Sequence, residues 1–179
     1  EAVAGTRYRI AVATARGLQY TLQLAPRRAN DFFEDATQLA GDVLEGDTTG
    51  ASTQAGEPFL VQASNKSTVW YRWVADAQAT LFVTVATRNA RPEIAVFTGS
   101  AIASLTRVAS AQSIGGGLST ATFPATPGVT YYFRVSTPRD GEAPFTLSIS
   151  RQLTGNLAAN DLFDQRTRMT APEFTVTVN

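Results

Sequence analysis

The stretch Ala29-Asn30-Asp31-Phe32-Phe33 recurs near the end of the chain as Ala159-Asn160-Asp161-Leu162-Phe163. Similar segments precede the two copies, namely Gly5-Thr6-Arg7-Tyr8-Arg9-Ile10-Ala11-Val12 and Gly128-Val129-Thr130-Tyr131-Tyr132-Phe133-Arg134-Val135. The spacing between matched residues changes only in the connections, which tolerate insertions better than strands do. The sequence therefore predicts one complete repeat, residues 29–158. It is flanked by the closing hairpin of a preceding repeat, 1–28, and the opening segment of a following one, 159–179.

Alternating apolar and polar residues indicate many short strands. A period of two is typical of half-buried strands, and Gly, Pro, Ser and Asp separate the alternating stretches. Helix is predicted only as short turns near 30–39 and 101–104. We therefore predict an all-β fold, an antiparallel β-sandwich of jelly-roll type whose terminal strands belong to neighbouring repeats. The predicted strands lie near 8–12, 20–24, 43–48, 68–75, 81–85, 94–98, 105–111, 120–123, 131–135, 145–149 and 174–178.

Composition restricts the classes of function. The 179 residues include fifteen basic and fifteen acidic side chains, and neither histidine nor cysteine. A chain of zero net charge has no general attraction for nucleic acid, and no apolar run reaches the ~20 residues of a membrane-spanning helix. The carboxylates that hydrolysis would need fall in separate predicted loops as solvated charges: Glu57, Asp76, Glu93, Asp140 and Glu142. We predict a protein that is not an enzyme, binds no nucleic acid and inserts in no membrane.

An ordered set of short motifs resembles the bacterial pre-peptidase C-terminal domain family, which is related to the collagen-binding domains of collagenases. The resemblance implies a β-sandwich that is secreted or anchored at the cell surface, is not catalytic, and often occurs in tandem or appended to hydrolases. The motifs are Asn30-Asp31, Gly56-Glu57-Pro58, Ser67-Thr68-Val69-Trp70-Tyr71-Arg72-Trp73, Ile94-Ala95-Val96-Phe97-Thr98-Gly99-Ser100, Leu105-Thr106-Arg107-Val108-Ala109-Ser110 and Pro127-Gly128-Val129-Thr130-Tyr131-Tyr132.

The same resemblance implies a metal site. Some members of the family bind calcium around the Asn-Asp pair that opens the domain, and the matching residues here are Asn30 and Asp31. Calcium takes six to eight oxygen ligands, several of them carboxylates, and few acidic residues lie nearby in the sequence. The alternative is an Asx cap or turn that holds the chain against the sandwich. No other cofactor is expected.

An aromatic strand offers a candidate ligand site. Trp70 and Trp73 differ in parity, so they face opposite sides of the sheet. Tyr71 and Trp73 are expected in the core, whereas Trp70 beside Arg72 is the candidate stacking platform for a sugar ring or a peptide. The alternative is that Trp70 is buried as well.

The two ends suggest self-assembly, because unpaired strand edges invite the addition of another chain. We predict that one chain's terminal strand completes the incomplete sheet of its neighbour, and that this heterologous contact builds a filament or array. The alternatives are a fragment of a longer tandem protein, and ends that fold back on the central sandwich. The residues assigned to assembly are Phe174, Val176, Val178, Tyr8, Ile10, Val12, Tyr20, Leu22 and Leu24.

These observations predict a structural or adhesive module outside the cell or on the bacterial surface. Its partners would be copies of itself or adjacent repeats, through strand complementation. The alternative is an accessory module of a secreted hydrolase that binds a polysaccharide or an extracellular protein.

Overall fold

The computed structural model describes residues 4–13, 19, 27–59, 66–113 and 115–153. Strands dominate this part of the chain, which contains no α-helix and no helix long and apolar enough to cross a membrane. Three short 3-10 turns lie at Phe33–Asp35, Ile102–Ser104 and Arg139–Gly141. The strands are β1 Thr37–Gln38, β2 Val43–Asp47, β3 Lys66–Val74, β4 Ala79–Thr87, β5 Glu93–Thr98, β6 Thr106–Gln112, β7 Leu118–Ala125, β8 Thr130–Pro138 and β9 Pro144–Leu153.

The strands form two sheets, one of five strands in the order β1-β3-β8-β5-β6 and one of four in the order β2-β9-β4-β7. All pairings are antiparallel except the short β1–β3 pair. Most consecutive strands lie in different sheets, as in a jelly roll. The predicted all-β, antiparallel sandwich is confirmed.

The main core lies between the two sheets. Alternate residues of β4 are buried, as the period of two predicts, and Leu81, Val83 and Val85 are fully inaccessible to solvent. Tyr71 and Trp73 point into this core from β3, with 4% and 9% of their surface exposed. The expectation that these two aromatics are core residues is confirmed.

Gly46 fixes the edge strand β2 against the core. It pairs with Phe145 of β9, and a Cβ atom at this position would overlap the Phe145 ring and lie 2.6 Å from the hydroxyl oxygen of Tyr71. Only glycine allows the backbone to approach this closely. The same glycine makes β2 look weak in the sequence, although the strand is formed.

Two local predictions need correction. The helical turn predicted over 30–39 is limited to Phe33–Asp35, because Ala36 turns extended, with φ −51° and ψ 122°, and β1 then pairs with β3. Residues 6–13 have no regular secondary structure, and Tyr8, Ile10 and Val12 expose 53%, 53% and 44% of their surface. The predicted half-buried strand is therefore wrong for these residues.

The other residues assigned to assembly are outside the described part of the chain. Their role stays a prediction, together with the assignment of 1–28 and 159–179 to neighbouring repeats. These residues are Tyr20, Leu22, Leu24, Phe174, Val176 and Val178.

Candidate binding surfaces

Part of the outer face of the five-stranded sheet is covered by two stretches, residues 28–36 and 48–59, which we together call the covering segment. The backbone amide of Trp70 donates to the carbonyl of Asn30 at 2.8 Å, and that of Thr68 donates to the carbonyl of Ser52 at 3.1 Å. The covering segment is therefore hydrogen-bonded to β3 and buries the part of the outer face around Trp70, whereas Arg72 and Val74 farther along β3 stay exposed.

Trp70 lies under the covering segment and is completely buried. Its ring packs edge-on against Phe33 at a centroid distance of 5.5 Å and lies 5.8 Å from the ring of Phe97. The prediction that Trp70 presents a stacking platform is wrong, because other side chains of a second apolar cluster enclose its ring. Arg72 is exposed on the same strand. Its role in binding stays a prediction, and the buried Trp70 cannot form a shared site with it.

Asp31 clamps the covering segment together. Only 2% of its surface is exposed. Its Oδ1 accepts from the backbone amide of Ser52 and its Oδ2 from the Ser52 hydroxyl, both at 2.6 Å. These bonds agree with the alternative to calcium binding, in which the Asn30–Asp31 pair holds the chain against the sandwich.

The residues around Asp31 do not fit a calcium ion. Calcium prefers several carboxylates among its oxygen ligands, yet both oxygens of Asp31 already accept hydrogen bonds from Ser52. Within the described ranges, no three acidic side chains come together as a metal site would require. Asn30 contributes its backbone carbonyl to Trp70 instead.

A buried ionic cluster joins the covering segment to the sheet. The guanidinium of Arg134 donates to Oε1 of Glu93 and to the carbonyl of Pro58, and lies 4.3 Å from the ring centroid of Phe59. The ammonium of Lys66 lies 3.3 Å from Oε2 of Glu93. Arg134 and Glu93 are both fully buried, so the prediction of Glu93 as a solvated loop charge is wrong.

Glu57 belongs to the same buried region, with 8% of its surface exposed. Its Oε1 accepts from the backbone amide of Gln54 and the hydroxyl of Thr68, both at 2.9 Å. Burial raises the pKa of the Glu57 carboxyl, and it lowers the pKa of Arg134. Glu57 was predicted to be a solvated charge; it is instead enclosed, so it anchors the covering segment.

The outer face of the four-stranded sheet remains open, and half of its residues carry hydroxyl side chains. Phe82 lies on its central strand β4, opposite Ser150 on one side and Thr122 on the other. The hydroxyl oxygens of Thr84 and Thr120 are 2.9 Å apart. We call this surface the hydroxyl face; its residues are Val43, Glu45, Thr80, Phe82, Thr84, Ala86, Leu118, Thr120, Thr122, Pro124, Thr146, Ser148, Ser150 and Gln152.

A groove adjoins one end of the hydroxyl face, where β4 ends and β9 begins. It has a cavity volume of about 690 Å³ and is lined by backbone and side chains of β2, β4, β9 and their connections. Its polar side chains are those of Glu45, Thr87, Arg88, Asn89, Glu142 and Thr146. We call it the end groove; no local sequence pattern indicates it, because its walls come from three separate stretches.

The described part of the chain is thus a β-sandwich with one partly covered and one open outer face. No family model and no curated protein matches it. Among solved structures, it is similar to the pre-peptidase C-terminal domain of a collagenase from Bacillus anthracis, with 16% identity and a TM-score of 0.46, over 72% of this chain and 100% of that domain. That domain belongs to the family that the sequence motifs resemble.

Two further structures are similar at lower TM-scores. PliG, a periplasmic inhibitor of g-type lysozyme from Aeromonas hydrophila, has 19% identity and a TM-score of 0.42, over 65% of this chain and 96% of PliG. CsCBM6-3 from Clostridium stercorarium, solved in complex with cellobiose, has 19% identity and a TM-score of 0.31, over 50% of this chain and 70% of that protein. These likenesses concern the fold and do not indicate which surface of this chain binds a partner.

The clamp at Asp31 can be tested by substitution. Asp31→Ala is expected to lower the free energy of unfolding by about 2–3 kcal/mol, because the amide and hydroxyl of Ser52 lose their buried partner. Asp31→Asn, which keeps one acceptor oxygen, is expected to lose less. Urea denaturation measures both values.

A melting experiment with and without calcium tests whether Asp31 binds the metal. A ligand bound only by the folded state raises the melting temperature, and we expect millimolar calcium or a chelator to leave it unchanged. A calcium-dependent rise that disappears in Asp31→Ala would show instead that the pair binds the metal.

Glu57 makes stability depend on pH. Its folded-state pKa lies above the ordinary value of 4.5, so the folded state binds the proton more tightly and the ionised carboxyl costs stability near neutral pH. Wild type should therefore gain stability relative to Glu57→Gln as pH falls from 7 toward about 4.5. Urea unfolding at each pH measures the difference.

Asp76→Asn is the control for this pH series. Contact with Arg151 lowers the pKa of Asp76 below 3.8, so its contribution is lost only in stronger acid. The difference in unfolding free energy between Asp76→Asn and wild type should stay constant over the same pH range. A constant difference for Glu57→Gln as well would contradict the role assigned to its burial.

Proposed function

We propose that this chain is a non-catalytic accessory module of an extracellular protein, and that it binds a neutral polysaccharide through the hydroxyl face. One observation carries this proposal. The two inner sheet faces form the core, and the covering segment buries the central part of the outer face of the five-stranded sheet. The hydroxyl face is the broad sheet surface that remains for a partner in the described part of the chain.

The chemistry of the hydroxyl face suits a neutral polymer of sugars. Serine and threonine hydroxyls both donate and accept hydrogen bonds, as sugar hydroxyls do. Phe82 is partly exposed at the centre of the face, where its ring offers an apolar surface to the C–H groups of a sugar. Glu45 is the one charged residue of the face, so there is little attraction for an ionic polymer.

The arrangement of carboxylates supports a role without catalysis. General acid–base chemistry needs a titratable group within reach of the substrate. Glu57 and Glu93 are buried and hydrogen-bonded under the covering segment, where a polymer on the opposite sheet does not reach them. The extracellular location rests on the resemblance to secreted and surface-anchored domains.

Retention on insoluble polysaccharides tests this proposal. We expect the chain to be retained on at least one neutral polymer among cellulose, chitin, xylan and mannan. Phe82→Ala should weaken retention about tenfold, because one stacked ring contributes about 1–3 kcal/mol. Depletion isotherms at increasing polymer concentration give the affinity.

Val74→Ala is the matched control, because Val74 exposes 46% of its surface on the other sheet. It should bind as wild type does. The absence of retention on every polymer, or equal losses in the two variants, would exclude the hydroxyl face as the binding surface. Circular dichroism would first show that both variants fold.

The second candidate is the head-to-tail assembly predicted from the repeat. The edge of β9 favours it: β2 pairs with β9 only up to Ser148, the amide of Ile149 reaches the carbonyl of Asp42, and residues 150–153 have no strand on that side among the described residues. Such an edge can accept an added strand. Residues 174–178 of a neighbouring copy supply an alternating sequence for it.

Deletion of residues 172–179 tests assembly. The full chain should form polymers whose size rises with concentration, and the deletion should leave monomers, because the donated strand is lost. Light scattering coupled to size exclusion measures the mass. A full chain that stays monomeric at high concentration would contradict assembly without affecting the polysaccharide proposal.

A further inference from the structure

The end groove has the dimensions of a small-molecule site. Its cavity volume of about 690 Å³ falls within the roughly 300–1,000 Å³ that ligand sites occupy. The cross-strand row Glu45, Thr146 and Ala86 forms the wall that it shares with the hydroxyl face. Arg88 and Asn89, which follow the end of β4, form the wall toward solvent.

Three planar polar side chains face this space with bonding capacity left over. Arg88 and Asn89 are exposed and make no side-chain hydrogen bond or ion pair within the described ranges. Glu45 accepts one bond, from the hydroxyl of Thr146 at 2.9 Å through Oε1, and its Oε2 remains available. Guanidinium, amide and carboxylate groups each present two adjacent polar atoms, a geometry that matches neighbouring hydroxyls on a sugar ring.

The charges and the apolar surface of the groove narrow the class of ligand. Glu45 and Glu142 bring two carboxylates against the single guanidinium of Arg88, which disfavours an anion. Phe145 is 2% exposed, so the groove offers no open aromatic or aliphatic pocket for a peptide anchor. Ala86 and Pro144 provide a small apolar surface, on which the C–H groups of a sugar can rest.

The walls of the groove are held in place before any ligand binds. Glu142 accepts from the amide of Gly50 at 2.9 Å and from the hydroxyl of Ser67. The hydroxyl of Thr87 donates to the carbonyl of Ala90 at 2.9 Å, which fixes the turn that carries Arg88 and Asn89. Such preorganisation lowers the entropy lost on binding.

We propose that the end groove binds a short neutral saccharide of one or two sugar units, held by Arg88, Asn89 and Glu45. Arg88 and Asn89 belong to the groove alone, whereas Glu45 lies in the wall that the groove shares with the hydroxyl face. A groove at the edge of the hydroxyl face would recognise the end of a chain or a branch, whereas the face itself would contact the length of a polymer. The groove proposal does not require the face to bind.

Titration with soluble sugars tests the groove. Mono- and disaccharides of glucose, N-acetylglucosamine, xylose, mannose and galactose are added to the full chain, and binding is followed by calorimetry and by NMR shifts of labelled protein. We expect at least one sugar to bind, with shifts at residues 86–89 and 144–146. Arg88→Ala should weaken binding about tenfold, the effect of losing hydrogen bonds from one charged group.

Two control variants separate this site from the hydroxyl face and from general charge effects. Arg107→Ala removes an exposed arginine of β6 and should leave sugar binding unchanged. Phe82→Ala should weaken retention on insoluble polymer but leave the soluble sugar bound. Arg88→Ala should weaken binding of the soluble sugar but leave retention on insoluble polymer unchanged.

Three results would overturn the groove proposal: no binding of any sugar in the panel, binding that Arg88→Ala leaves intact, or preferential binding of glucuronic acid over glucose. Each result can be distinguished from failure of the polymer proposal, which is measured by retention on insoluble material. Loss of retention with soluble binding preserved would leave the groove as the binding site.

Discussion

The buried guanidinium of Arg134 is the group on which the covered side of this sandwich depends. A buried arginine is tolerable only when its charge and its donors are matched, and here Glu93 supplies the charge while the carbonyl of Pro58 accepts a second bond. Pro58 belongs to the covering segment, so the Arg134 guanidinium keeps this second hydrogen bond only while that segment lies on the sheet. A hydrogen bond to a charged group contributes about 1.5–3 kcal/mol, so the bond from Arg134 to the Pro58 carbonyl helps to hold the segment on the sheet.

The position of the covering segment determines which surfaces can bind a partner. The segment covers the central part of the outer face of the five-stranded sheet and leaves the hydroxyl face open. It also reaches the end groove, because the amide of Gly50 in the segment holds the carboxylate of Glu142 in the groove wall. The buried cluster and the proposed binding surfaces are therefore connected parts of one structure, although they lie on different sheets.

Strand positions and the main core follow from the sequence with little tertiary information. Alternation at Leu81, Val83 and Val85 predicted a half-buried strand, and the strand is present. The helical turn over 30–39 was too long because the pairing of β1 with β3 pulls the chain into an extended form, which local propensity does not include. Strand β2 looked weak because the residue that lets it pack, Gly46, has no side chain to signal burial.

The candidate sites depended far more on tertiary structure. Parity along β3 correctly placed Trp70 and Trp73 on opposite faces, but parity does not say what covers a face. Sequence separation likewise suggested that Glu57 and Glu93 are solvated, whereas the covering segment and β5 bring them to the same buried cluster. The end groove combines residues from three stretches, so no local pattern indicates it.

The sequence by itself determined an all-β sandwich, its strand order along the chain and the absence of histidine and cysteine chemistry, because these depend on residue types and on a period of two. Only the tertiary structure decided which outer face is open, that Trp70 is buried and Asp31 is hydrogen-bonded to Ser52, and that Glu45, Arg88 and Asn89 share a groove. The physical reason is that burial of a sheet face depends on which distant segment lies over it, and that segment is held by buried charges whose partners are far apart in the sequence.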